Sequence, residues 1–358
     1  MSPAARPRTA RAAILVEQHA PLVVDEIELP PELYAGQVLV AIHASGICGS
    51  QLGEIDGVKG ADPYLPHLLG HEAGARVVAV GPGVVHVAPG DHVVVHWRKG
   101  AGIEAATPSY RWRGRKLNAG WATTLSDFAV VSENRVTRIP KHADLGLAAL
   151  LGCPVTTGLG VVSRDARLAI GESIVVVGTG GVGLSVIQGA AMVAAHPIVA
   201  YDRYPNRLEL ARRLGATHTL LAGEGDLVDD ARAIVGAEGA DVVVEHTGDV
   251  GLIRAAYELT QPRGRTMLVG VPHRDQEASI FTLPLHFGKV LTGSYGGSTQ
   301  PEVDIPRYLR LHDAGKLALE PLVTDRFALD DVQRAIDGMR QGTVAGRCLI
   351  EMTTGAGA

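Results

Sequence analysis

Three residues spread widely along the chain carry metal-binding side chains: Cys48 in GICGSQ, His71 in GHE and Cys153 in GCPVTTG. Two thiols and an imidazole suit zinc, and a catalytic zinc site uses three protein ligands while leaving one position for water or substrate. Taken singly, each residue would read as a buried thiol or an ordinary histidine. The third cysteine, Cys348, lies inside the apolar run CLI and reads as a small core residue.

A second constellation follows the run IVVV. It comprises Gly178, Thr179, Gly180, Gly181, Val182 and Gly183, a G-x-G-x-x-G turn between a strand and a helix. In that setting the first glycine permits the tight turn and the second lets a pyrophosphate approach the backbone. The third allows the helix to pack closely, with its N-terminus facing the phosphates. Asp202 ends the next apolar run and is placed to accept hydrogen bonds from an adenosine ribose, which favours NAD over NADP. Arg203 beside it is the kind of residue that can host a 2′-phosphate instead.

These residues need two kinds of scaffold. Between about residues 22 and 140 the chain is broken into short Val-rich runs such as QVLVAIHA, ARVVAVG and DHVVVHW, with PG turns at 82–83 and 89–90. That pattern predicts a β-rich, barrel-like domain. From 155 apolar strands alternate with helical stretches (LSVIQGAAMVAA, PNRLELARRLGA, LIRAAYELTQ), the signature of βαβ units on a parallel sheet. After 294 the pattern is mixed again, with PRYLRLHDAGKL helical and AGRCLIEM a last strand, while the terminal TTGAGA is expected to fray. The reading is an α/β protein of two domains: a discontinuous β-rich domain over 1–154 and 294–358, and a dinucleotide-binding domain over 155–293.

The bulk properties agree. A chain of 358 residues exceeds one compact core. A net charge of −5 speaks against a general nucleic-acid or membrane binder. Three widely spaced cysteines fit a reducing compartment, and the N-terminal AAILV is too short for a signal core. A cytoplasmic enzyme is expected.

CGSQ, GHE, GCPVTTG and GTGGVG, in that order, resemble the zinc-dependent medium-chain alcohol dehydrogenases, and the resemblance runs from about residue 12 to 350. The Cys₂His set is the known zinc ligation of alcohol dehydrogenase, so the ligand assignment is recognised rather than deduced. The resemblance implies a GroES-like catalytic domain plus a Rossmann cofactor domain, and one catalytic zinc on Cys48, His71 and Cys153. It implies that Glu72 tunes the metal and that Ser50 takes the proton from an alcohol. It also implies that Trp97 lines the substrate pocket. Thr157, Val182, Asp202, Arg207 and Arg347 would contact the cofactor, and LVGV, ending at Val271, would border the nicotinamide. Hydride transfer between NAD(H) and an alcohol or carbonyl follows, in a homodimer or homotetramer built through the cofactor-domain sheet, with FGKVLTGSYGG as its edge.

Several residues depart from the family pattern. The segment HWRKGAGIEAATPSYRWRGRKLNAGWATT holds no cysteine, so no structural zinc is expected there, and something else must order it. Gln51 stands where the family has an aspartate, and an amide oxygen there can still accept the imidazole N–H of His71. Gly53 replaces a relay histidine, leaving Glu54 or water to take the proton. Arg98, Lys99, Arg111, Arg113, Arg115 and Lys116, with Trp112 and Trp121, form either a solvated loop or a surface for a polar or anionic substrate. His96 is placed to reach the substrate pocket, His67 is expected to be exposed, and His246 and His273 lie on the nicotinamide side. Two other readings share the scaffold: a zinc-free reductase of activated double bonds, and a catalytically retired binding protein.

Overall fold

The computed structural model describes residues 6–353. The frayed terminus expected from sequence lies, from residue 354, outside the described residues. The chain divides into two compact units. One takes in the chain through Cys153, Gln300–Ala314, and the chain from Val323 onward; the other is Pro154–Thr299 with Gly315–Leu322.

The first unit is β-rich. Its larger sheet runs Val136–Ile139, His92–Val95, Ala73–Val80, Gln37–Gly46, Arg347–Glu351 and Val323–Ala328, with Phe128–Ser132 also paired to Gln37–Gly46. A second, antiparallel sheet runs His67–Leu68, Thr9–Leu15, Val23–Glu28, Tyr110–Trp112 and Arg115–Leu117. Alternating Val, Ile and Ala side chains of these strands form an aliphatic core that includes Val40, Ile42, Val77, Val93 and Val131. Burial of aliphatic surface of this kind is the main stabilising term.

The cysteine-free segment is ordered by a hairpin. The Tyr110 hydroxyl is buried and accepts the Val130 N–H at 2.7 Å. The Trp112 indole donates to Asp25 at 2.8 Å, and Arg113 stacks on Trp112 while pairing with the same carboxylate. Trp112 and Arg113 are therefore committed to the fold of this unit. Arg115 and Lys116 remain exposed on the second strand of the hairpin.

The second unit carries a six-stranded sheet, parallel throughout. In spatial order it runs His218–Leu221, Ile198–Asp202, Ile174–Val177, Ala240–Glu245, Thr260–Leu268 and Val290–Gly293. The strand order reverses between Ile174–Val177 and Ala240–Glu245, the point at which open parallel sheets bind ligands. The two central strands, IVVV and VVVE, are buried on both faces, which accounts for their unbroken apolar character. Between 216 and 239 the structure adds a strand, His218–Leu221, and a helix, Leu227–Val235, capped by Asp226. Neither was expected from the sequence. Among the described residues, no single helix is long and apolar enough to cross a membrane.

Candidate metal and cofactor sites

Each metal-ligand candidate sits where a regular element ends. Cys48 follows the strand Gln37–Gly46 and caps the helix Gly49–Ile55, its backbone extended as an N-cap requires. His71 follows Gly70, whose φ of +95° and contact with Thr124 leave no room for a side chain. A Cβ there would lie 2.4 Å from the Thr124 hydroxyl, so glycine is needed to turn the chain toward the site. Cys153 ends the first stretch of the β-rich unit, directly after Leu150–Gly152.

Their ligand atoms all lie within 4.8 Å of one another. The Cys153 thiol hydrogen-bonds to Cys48 and, despite burial, holds Cys48 well below the ordinary thiol range, with His71 and the Arg347 charge adding to the effect. Sharing that proton with Cys48 and being buried push Cys153 the other way, and the Trp97 indole donates to its sulfur and partly offsets this. His71 Nε2 is buried with no hydrogen-bond partner, whereas Nδ1 contacts the Gln51 amide nitrogen at 2.5 Å. Two sulfurs and an orphaned imidazole nitrogen at this separation fit a zinc ion.

Beside the ligands, Glu72 is wholly buried and forms an ion pair with Arg347. Its backbone carbonyl accepts from the Ser45 and Thr124 hydroxyls at 3.1 and 3.3 Å, fixing the segment that carries His71. Arg347, a cofactor contact by resemblance, is 4% exposed in this unit and meets Glu72. Ser50 lies exposed on the first turn of the helix Gly49–Ile55. Glu54, on the same helix, is raised above the usual carboxylate range by burial, an effect that the nearby His71 and His67 partly oppose.

Several expectations need correction. His96 does not line a pocket: its two ring nitrogens meet the Arg98 carbonyl at 2.7 Å and the Thr137 hydroxyl at 2.9 Å. It is 1% exposed, and burial lowers its pKa to about 4. His67 is not simply exposed; it bonds Asp62 at 2.8 Å and the Leu68 carbonyl at 2.9 Å. Gln51 does not accept the His71 N–H. Its oxygen is taken by the Cys48 N–H at 2.8 Å, which turns its NH₂ toward the ring. The Trp97 indole, by contrast, lies at the ligand cluster, donating to the Cys153 sulfur.

In the α/β unit the glycine turn has the shape that its spacing predicts. Gly178 has φ +90°, and a Cβ on Gly183 would lie 2.0 Å from the Gly178 carbonyl. Gly181 opens the helix Gly181–Met192, on which Val182 is buried. A Cβ at Gly180 would meet only His246, so the turn is open on the side a pyrophosphate would approach. His246 thus stands over the turn. Asp202 is buried and accepts from the Thr179 N–H at 2.7 Å, the Thr179 hydroxyl at 2.9 Å and the Tyr204 N–H at 3.0 Å. The role of Thr179 was not apparent from its place in the motif. Arg203 and Arg207 both stack on Tyr204, 4.8 Å from its ring centre. Thr157 is buried in the helix Pro154–Gly160, Val271 is exposed, and His273 lies 3.9 Å from Asp275.

Comparison with known proteins decides the family. Residues 34–141 match the alcohol dehydrogenase GroES-like domain, and residues 181–313 the zinc-binding dehydrogenase domain. An S-(hydroxymethyl)glutathione dehydrogenase of Escherichia coli O1:K1 / APEC is 32% identical, over 93% of this chain and 97% of its own. This chain belongs to the zinc-binding alcohol dehydrogenase family. Among solved structures of similar fold is an alcohol dehydrogenase zinc-binding domain protein from Burkholderia ambifaria. It has a TM-score of 0.87 and 28% identity over 96% of this chain and 99% of its own. Benzyl alcohol dehydrogenase from Acinetobacter calcoaceticus gives a TM-score of 0.87 and 26% identity, covering 97% and 100%. The β-rich unit is accordingly GroES-like and the α/β unit a Rossmann fold, in an oxidoreductase of the alcohol dehydrogenase family.

Proposed function

We propose that this alcohol dehydrogenase requires one zinc ion and NAD(H), and that it oxidises small alcohols or reduces the matching carbonyls. The observation that carries the reading is the convergence of Cys48, His71 and Cys153 within 4.8 Å, with His71 Nε2 buried and unpartnered.

Zinc, when bound, supplies Lewis acidity toward the oxygen of an alcohol or carbonyl. The chain's own residues do the rest. Cys48, His71 and Cys153 would hold the ion, and the Trp97 indole donates to the Cys153 sulfur. Ser50 Oγ takes or returns the proton; because Ser50 is exposed, that proton exchanges with water without the relay histidine that Gly53 replaces. The turn at Gly178, Gly180, Gly181 and Gly183 would hold the pyrophosphate at a helix N-terminus, and Thr157, Val182 and Val271 would serve the nicotinamide side. Asp202, fixed by Thr179, keeps a carboxylate at the strand end for the ribose, which favours NAD over NADP. Arg207 serves the adenosine side, and Arg347, through Glu72, supports the metal site.

The relatives' names, S-(hydroxymethyl)glutathione dehydrogenase and benzyl alcohol dehydrogenase, point to primary alcohols as the first substrates to test. A homodimer, or a tetramer of such dimers, is part of the reading. The edge strand Val290–Gly293 is flanked by the exposed apolar residues Phe281, Leu283, Phe287 and Tyr295, a surface suited to pairing with a second copy. None of the three cysteines forms a disulfide, which fits the reducing cytoplasm.

The experiment is a spectrophotometric screen of primary alcohols with NAD⁺ and NADP⁺. Alcohol-dependent reduction with the higher kcat/KM for NAD⁺ supports the reading. Turnover only with activated double bonds, undiminished by chelator, would replace it with the zinc-free reductase.

A further inference from the structure

We propose that Gln51 sets zinc loading against a hydrogen bond at the start of the helix Gly49–Ile55, so that this chain holds its ion more weakly than its three ligands alone would allow. The inference rests on the reading that Cys48, His71 and Cys153 bind zinc.

Gln51 is buried, 2% exposed, and faces two groups at once. Its amide oxygen accepts the Cys48 N–H at 2.8 Å, and its amide nitrogen lies 2.5 Å from His71 Nδ1. The backbone fixes this orientation: Cys48 can only donate there, so the oxygen must face it and the NH₂ must face the ring. A ring nitrogen that receives a hydrogen bond carries no hydrogen, so in neutral His71 the hydrogen resides on Nε2. Nε2 is the buried nitrogen with no partner, the one left for an ion.

Ligation through Nε2 requires the other tautomer, with the hydrogen on Nδ1. Two donors, Cys48 N–H and His71 Nδ1–H, then converge on a side chain with one acceptor atom. If the amide stays, His71 Nδ1–H meets NH₂; if it turns, Cys48 N–H does. Either way one of the two part-buried donors faces an NH₂ when the site loads. A carboxylate has two oxygens and satisfies both donors together. Gln51 is thus a positioning residue, acting on zinc through the His71 tautomer and the helix cap.

Gln51→Glu keeps the length of the side chain and adds the second acceptor. The test measures zinc affinity of both apoproteins by competition with a chromophoric chelator. It also measures the ring ¹⁵N shifts of His71 in both, assigned against His71→Gln. We expect the native apoprotein to carry the hydrogen on Nε2 and Gln51→Glu to carry it on Nδ1, with zinc bound roughly 10- to 100-fold more tightly by the variant. Affinities within about threefold of each other, or a native His71 already protonated at Nδ1, would overturn the proposal. Tighter binding with an unchanged tautomer would reflect added charge alone and would overturn it too. If neither form binds zinc, the reading of the site fails and the proposal with it. Gln51→Asp, with both acceptors on a shorter stem, repeats the comparison if Gln51→Glu does not fold.

Discussion

Glu72 and Arg347 form an ion pair closed off from solvent, the carboxylate wholly buried and the guanidinium 4% exposed. They lie far apart in the chain: Glu72 directly follows His71, and Arg347 opens the last strand, Arg347–Glu351. A buried charge is tolerable only while paired, so removing one partner costs far more than removing both. Arg347→Met is expected to destabilise the protein by about 3–5 kcal/mol, read by denaturant unfolding. The double variant Glu72→Gln, Arg347→Met should recover much of that loss; a double variant no better than the single one would refute the pairing as its cause.

His96 ties acid sensitivity to a specific group. Burial lowers it from 6.5 to about 4, only partly offset by its bond to the Arg98 carbonyl. Between those two values the unfolded chain takes up a proton that the folded protein refuses. Stability is therefore complete above about pH 6.5 and falls as the solution is acidified toward pH 4, by about 3 kcal/mol from this group. Urea midpoints measured across that range should follow this slope, and His96→Gln should flatten it while lowering stability at neutral pH.

The hairpin in the cysteine-free segment depends on the buried Tyr110 hydroxyl. Tyr110→Phe leaves the Val130 N–H, now bonded at 2.7 Å, without an acceptor in the interior. A loss of about 1–3 kcal/mol is expected. Limited proteolysis should then cut first within 98–122; a cleavage pattern like the native one would show that another contact orders the segment.

Assembly is expected to depend on the Rossmann edge. Phe287 is 71% exposed beside Val290–Gly293, too apolar a border for a sheet edge left in water. Phe287→Glu combined with Val290→Lys should convert a dimer to monomers in light scattering after gel filtration. An unchanged mass would place the interface elsewhere.

Much of this could be read from residue types, and what could not has physical causes. IVVV and ADVVVE announced a parallel sheet because strands buried on both faces need unbroken apolar runs. His218–Leu221 was missed because an edge strand of four residues, none of them fully buried, has no such pattern. The meeting of Cys48, His71 and Cys153 was legible only through the family resemblance, since each alone reads as an ordinary side chain, whereas the glycine turn was legible because its spacing is tied to backbone geometry. Orientation was not legible. Which end of Gln51 faces His71 depends on the Cys48 N–H, and the partners of His96 come from the Arg98 carbonyl and distant Thr137. In the same way, the carboxylate that anchors Trp112 and Arg113 belongs to Asp25, on another strand.

On the proposed function, Cys48, His71 and Cys153 form one zinc site on which alcohol oxidation depends. Metal analysis of the purified protein, native and Cys153→Ala, tests it most directly. About one zinc per native chain is expected, lost together with alcohol-dependent NAD⁺ reduction in Cys153→Ala, while NADH titration is unchanged because the glycine turn is intact. Full alcohol oxidation by a native protein without zinc, or by Cys153→Ala, would contradict it.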